Sequence, residues 1–279
     1  MNGLVLEGGA MRGMFTAGVL DVMMENGITF DGAVGVSAGA TFGCNIKSEQ
    51  PGRVIRYNKR FCRDWHYGSM RSLLLTGDLY NAKFCYDTIP YLLDIFDLKA
   101  YRKNPMHFYV VTTDMKNGKA CYHECRVGDG EDMQWFRASA SLPIVSRPVM
   151  LDGVPMSDGG ASDSIPIRFM EEQGYDRNVV LLTQPEGFVK EQMSHFGMIK
   201  RLLHKWPEEV RLLESRPARY NETLEYIAEA EAAGRTFVIR PPEPLGIGST
   251  CNDPEELERV YQIGRKTGEE VLPALRDFL

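Results

Sequence analysis

Ser37 stands in Gly35-Val36-Ser37-Ala38-Gly39, a G-x-S-x-G pattern entered from the apolar run 30–36. Flanking glycines permit a sharp strand-to-helix turn that leaves the hydroxyl exposed. The helix expected over 38–47 then points its positive N-terminal end at any oxyanion formed beside Ser37. A serine hydroxyl needs a base to act as a nucleophile. Asp158 ends a predicted strand, and Gly159 and Gly160 after it allow close approach of another group. A carboxylate there takes the Ser37 proton directly if burial raises its pKa toward the working range. The ordinary alternative is a plain Asp-Gly turn, as at Asp152-Gly153.

A histidine base is the other option. Ser37, Asp158 and His195 follow the chain order nucleophile, acid, histidine of the α/β-hydrolase triad. That fold places several strands before its nucleophile, whereas one complete strand precedes Ser37. None of His66, His107, His123, His195 and His204 has the small-residue, strand-end setting of a general base.

The second chemical feature is Gly8-Gly9-Ala10-Met11-Arg12-Gly13, directly after the β-rich Leu4-Val5-Leu6. It fails as a P-loop, because no Lys-Ser or Lys-Thr follows Gly13. It is a poor dinucleotide fingerprint: Ala10 replaces the second glycine and the next strand ends in a serine turn, although Asp31 precedes that turn. The remaining reading is an oxyanion site, in which successive backbone N–H groups form a small anion nest. Adjacent parallel strands would bring it and Ser37 to the same sheet edge.

These residues need a scaffold. A strand, the glycine loop, a helix over 14–25 closed by Asn26-Gly27, and a strand over 28–36 make a βαβ unit, hence a parallel sheet. A basic amphipathic helix over 53–65 follows, suited either to a solvated face over a core stripe or to anionic lipid. Further expectations are a helix over 87–96, strands over 108–113 and 119–125 joined at Asn117-Gly118, a hairpin over 149–157, and a buried strand over 178–183. Beyond about residue 185 the pattern turns helical: 193–219, 222–233 and a last helix from Asp253-Pro254 to the end, with one strand over 236–240.

The bulk composition sets bounds. The chain has 279 residues, 43% hydrophobic and 25% charged, with net charge −6. That fits one large α/β domain and argues against nucleic acid as a partner. Six cysteines are scattered without a C-x-x-C pair, and Cys121, His123 and Cys125 are too isolated for a zinc site, so no metal and no cofactor are expected. Neither a signal peptide nor a membrane-length apolar run is visible, which predicts a cytoplasmic protein.

In combination, the glycine loop, the serine elbow, Ala138-Ser139-Ala140-Ser141-Leu142-Pro143 and Asp158-Gly159-Gly160 resemble the patatin-like phospholipases in order and spacing, over residues 4 to about 185. The resemblance implies a three-layer α/β/α fold with a mostly parallel central sheet: a catalytic core over 1–185, and a helical C-terminal extension over 186–279 packed on it. It implies a Ser37–Asp158 dyad and an oxyanion held by the amides around Gly9, Ala10 and Met11. Arg12 matches the loop's basic residue, which anchors the loop or meets phosphate. The substrate would be a lipid or acyl ester, with transient contact to a membrane surface. Acyl transfer and non-catalytic lipid binding are the alternatives. One departure is Ala10, where many members have glycine; alanine serves there unless φ must be positive. The part after 185 resembles the C-terminal region of bacterial members, and the resemblance assigns it no functional residue.

Overall fold

The computed structural model describes the whole chain, Met1–Leu279. Its strands are β1 (Asn2–Leu6), β2 (Gly32–Val36), β3 (His107–Asp114), β4 (Ala120–Glu124), β5 (Val149–Leu151), β6 (Val154–Asp158), β7 (Arg177–Leu181) and β8 (Thr236–Ile239). Its helices are α1 (Gly13–Glu25), α2 (Ala38–Lys47), α3 (Arg53–Phe61), α4 (Met70–Thr76), α5 (Leu98–Lys103), α6 (Glu131–Ser139), α7 (Ile167–Glu172), α8 (Phe196–Leu202), α9 (Pro207–Ala232) and α10 (Pro254–Phe278).

All eight strands join one sheet, ordered β5-β6-β3-β2-β1-β7-β8, with β4 also paired to β3. Strands β3, β2, β1, β7 and β8 run parallel, and β4, β5 and β6 are antiparallel to their neighbours. Successive side chains of a strand point to opposite faces, and here both faces are covered. Leu4 and Leu6 join the larger core, shared with α1, α2 and α10; Val5, between them, joins the second core beside α7 and α9. That is why these strands read as unbroken apolar runs.

Several expectations shift. β2 begins at Gly32 instead of residue 28, where a Cβ would stand 2.1 Å from the Tyr175 hydroxyl. The helices expected over 193–219 and 222–233 become a short α8 and one continuous α9. Pro207 starts α9 at a position where its missing N–H costs nothing, and α9 runs on through Pro217 without a break. The helix expected over 87–96 is Phe84–Leu93, wound in wide i→i+5 turns and closed by the Asp94 N–H to the Ile89 carbonyl at 2.9 Å. β8, the strand expected beyond residue 185, pairs in parallel with β7 at the end of the sheet. On α3, Arg53 and Arg56 pair with Asp94 and Lys59 with Glu258, and Arg63, two residues past its end, pairs with Asp253.

Candidate active site

β2 ends at Val36 and α2 begins at Ala38, so Ser37 alone turns the chain, with φ 55° and ψ −121°. Backbone in such a region costs a non-glycine residue roughly 1–3 kcal/mol and persists only where its surroundings impose it. They do here. A Cβ on Gly35 would lie 2.5 Å from the Gly39 carbonyl oxygen, and one on Gly39 would lie 2.3 Å from that of Leu6.

The partner carboxylate arrives along β3. Val36 pairs with Val111, and Asp158 pairs with the next residue, Thr112. β4 occupies the other edge of β3 over Tyr109 to Thr113, so β6 must take the edge of β2 just where β2 stops. Ser37 and Asp158 are thereby brought together from strands ending toward one another. Gly159 is required at this junction, because a Cβ would stand 2.3 Å from the Val111 carbonyl oxygen.

One short segment holds both backbones. The Ser139 hydroxyl oxygen accepts the Ser37 N–H at 2.9 Å, and the Ser141 carbonyl accepts the Asp158 N–H at 2.9 Å. Ser37 is 8% and Asp158 3% exposed. Burial raises the Asp158 carboxyl above its usual range; the Ser37 hydroxyl, the Gly160 N–H and the Arg216 guanidinium pull it back. Oδ1 accepts the Gly160 N–H at 2.7 Å, whereas Oδ2 is buried without a hydrogen-bond partner.

The glycine loop lies against the elbow. A Cβ on Gly8 would stand 2.9 Å from the Val36 carbonyl oxygen and 3.0 Å from the Ser37 Cβ; one on Gly9 would meet Thr183 Oγ1 at 2.8 Å; one on Gly13 would meet Phe42 at 2.8 Å. Ala10 has φ 49°, so the condition that disfavours alanine is met and the strain is carried. Arg12 donates to Thr183 Oγ1 at 3.4 Å.

Ser37, Ala10 and Met11 open on a cavity of about 130 Å³. Of its 22 lining residues 17 are hydrophobic, including Phe42, Tyr86, Ile89, Met133 and Phe136, so it suits an apolar chain. The wide-turn helix supplies one wall and Leu142 part of the rim. Asp158 does not line it.

The C-terminal region contributes what was not expected of it. Arg219 of α9 donates to the carbonyls of Ala161, Ser162 and Leu212, clamping the turn after Asp158. Glu209, fully buried on α9, accepts from the Ser157 hydroxyl at 3.1 Å, and burial followed by the charge of Asp158 pushes it up to about 7. Glu7, at the head of the glycine loop, accepts from the Tyr220 hydroxyl at 2.6 Å and from the Thr183 N–H at 2.6 Å. Nothing local marks these residues, since Glu7 and Tyr220 are 213 positions apart.

No histidine joins them. His195 is exposed at the start of α8, while His66, His107 and His123 face Asp64, Glu124 and Asp132. His123, Cys125 and Asp132 do cluster, without Cys121, but both Asp132 oxygens are engaged: Oδ2 by the N–H groups of Val127 and Gly128, Oδ1 by His123.

A family model described as patatin-like phospholipase matches residues 4–170. The chain belongs to that family. Membership makes it a hydrolase acting on ester bonds. Residues 206–279 match a domain of unknown function. The chain is 28% identical to an uncharacterized protein, YjjU, of Escherichia coli strain K12, over 99% of this chain and 78% of that protein. It is 25% identical to lysophospholipase nte1 of Aspergillus terreus over 99% of this chain, which spans only 18% of that protein. Among solved structures, VipD from Legionella pneumophila aligns with a TM-score of 0.48 and 12% identity, over 98% of this chain and 67% of that one.

Proposed function

We propose that this patatin-like phospholipase is a serine lipid acyl hydrolase working through a Ser37–Asp158 dyad. The observation that carries the reading is the strained Ser37 elbow, opening on an apolar cavity and backed by a buried carboxylate with one free oxygen. The similarity to a protein named lysophospholipase supports fatty-acyl esters as substrates.

Asp158 accepts the Ser37 proton as Oγ bonds to the ester carbonyl carbon. The carbonyl oxygen becomes an oxyanion, met by backbone N–H groups of the Gly9 to Met11 loop and by the N-terminal end of α2. Collapse breaks the bond to the alcohol, and Asp158 returns its proton to that leaving oxygen. Asp158 then takes a proton from water, whose oxygen attacks the acyl-enzyme. A second collapse breaks the bond from the acyl carbon to Oγ, Asp158 returns its proton to that oxygen, and the fatty acid leaves with Ser37 restored.

The test is labelling by a fluorophosphonate probe, with hydrolysis of p-nitrophenyl esters of graded chain length. Ser37→Ala abolishes labelling and turnover, Asp158→Asn abolishes turnover, and His195→Ala leaves both intact. Loss of turnover in His195→Ala would replace the dyad by a triad.

A further inference from the structure

Arg216 is a guanidinium without a counter-ion beside a carboxylate the reaction needs. Its Nε donates to Ser164 Oγ at 3.2 Å, and none of the chain's ion pairs includes it. Its terminal edge is turned to the strand end: Arg216 Nη2 and Asp158 Oδ1 each stand 3.0 Å from the point where a Cβ on Gly160 would sit. A side chain at 160 would fill the space between them.

The same guanidinium borders a polar cavity of about 250 Å³, with Arg168, Arg219, Ser162, Ser164 and Thr223 in its wall. The acids there are Asp163 and Glu222. Both Asp163 oxygens are engaged, by the Tyr122 hydroxyl at 2.8 Å and the Ile165 N–H at 3.2 Å, and burial raises its carboxyl. Nearby, Lys190 is lowered to about 8, chiefly by burial and then by Arg216, with Arg12 adding to the repulsion. Arg168, Arg219 and Lys190 thus gather around Arg216, facing exposed Glu222 in the cavity wall and the buried carboxylates of Asp158 and Glu209, both of which feel the Arg216 charge.

The mechanism says which half of a substrate meets this charge. The acyl chain occupies the apolar cavity at Ser37, which excludes Asp158, and Asp158 protonates the leaving alcohol. The alcohol half therefore lies on the Asp158 side, toward Arg216. Resting on the hydrolase reading above, we propose that Arg216, delivered by α9, binds a phosphate group carried on the alcohol half of the ester. Guanidinium suits this task because its planar fork grips phosphate oxygens in pairs.

The test has a catalytic and a binding arm. In the first, kcat/KM is measured for 1-palmitoyl lysophosphatidylcholine and for uncharged 1-palmitoylglycerol. Arg216→Gln should lower the ratio of the two constants at least tenfold, mainly through KM for the phosphate ester, and Arg216→Lys should restore part of it. An equal loss on both esters, or an unmoved ratio, overturns the proposal and leaves Arg216 a group that only tunes Asp158 or holds the turn. In the second arm, calorimetry on the Ser37→Ala protein measures binding of glycerol 3-phosphate and of inorganic phosphate. Glycerol 3-phosphate should bind, and Arg216→Gln in that background should abolish it. If inorganic phosphate binds as tightly and alters turnover of both esters alike, the site serves free phosphate and the assignment to the substrate falls. If the parent protein hydrolyses neither ester, the hydrolase reading fails by itself. Should Arg216→Gln not fold, inhibition of the parent enzyme decides: glycerol 3-phosphate must compete with the lysophospholipid, and absence of competition overturns the proposal.

Discussion

Val36 and Asp158 are held opposite consecutive residues of β3, Val111 and Thr112. One strand edge thus carries a parallel neighbour up to the serine elbow and an antiparallel neighbour from the carboxylate onward. The geometry of the proposed dyad is a property of the sheet, with loops responsible only for fine adjustment.

The Asp158 carboxyl, raised by burial, places the acid limb of hydrolysis above the ordinary carboxylate range. As the base it works ionised, so kcat/KM should rise with pH through that limb. Arg216 favours the ionised form, and Arg216→Gln should therefore move the limb upward. A pH–rate profile on a p-nitrophenyl ester reads the shift; a limb that stays put or moves down contradicts it.

Glu209 makes stability fall as pH rises. Its folded-state value of about 7 lies above the ordinary 4.5, so its contribution is fully present below 4.5 and is lost as pH rises through about 7. The span is worth up to about 3 kcal/mol at roughly 1.4 kcal/mol per pH unit. Glu209→Gln should be more stable than the parent at pH 8, with the gap narrowing at pH 5. Thermal melts at the two values check the sign.

Ser139→Ala removes the acceptor of the Ser37 N–H. A buried, unpaired donor costs about 1–3 kcal/mol, here at a turn that is already strained. Denaturant titration should show that loss, together with slower reaction of Ser37 with a fluorophosphonate. A neutral substitution would mean that the elbow is held by its glycines alone.

Ala10→Gly relieves a positive φ in the loop and keeps every backbone N–H. The gain, about 1–2 kcal/mol from the left-handed region less about 0.5–1 kcal/mol of added chain freedom, should leave a stabilisation of about 0.5 kcal/mol. Ester hydrolysis should be retained. Loss of activity would show that the methyl group itself shapes the acyl cavity.

The local features are legible in the order of residues alone. Gly35 to Gly39 and Gly8 to Gly13 announce themselves because a tight turn demands small residues at fixed spacing, and the α1 and β7 patterns follow from burial on known periods. Ser139 is visible as part of a motif, but its task is not, because a hydroxyl in a sequence does not say which N–H it will meet.

Choices between locally equal candidates fall to the packing of the folded chain. Asp152-Gly153 and Asp158-Gly159 are the same dipeptide; the register of β6 on β3 buries the second beside Ser37, while Asp152 remains exposed. His195 satisfies the order of a triad and ends up exposed on α8. Glu7, Glu209, Arg216 and Arg219 carry no local signal, because their partners lie far along the chain and come within reach only when α9 packs on the sheet. Turn chemistry and periodicity act over a few residues and are written in order along the chain. Burial, charge pairing and the pKa values that follow from them depend on distance in space, which the order of residues does not contain.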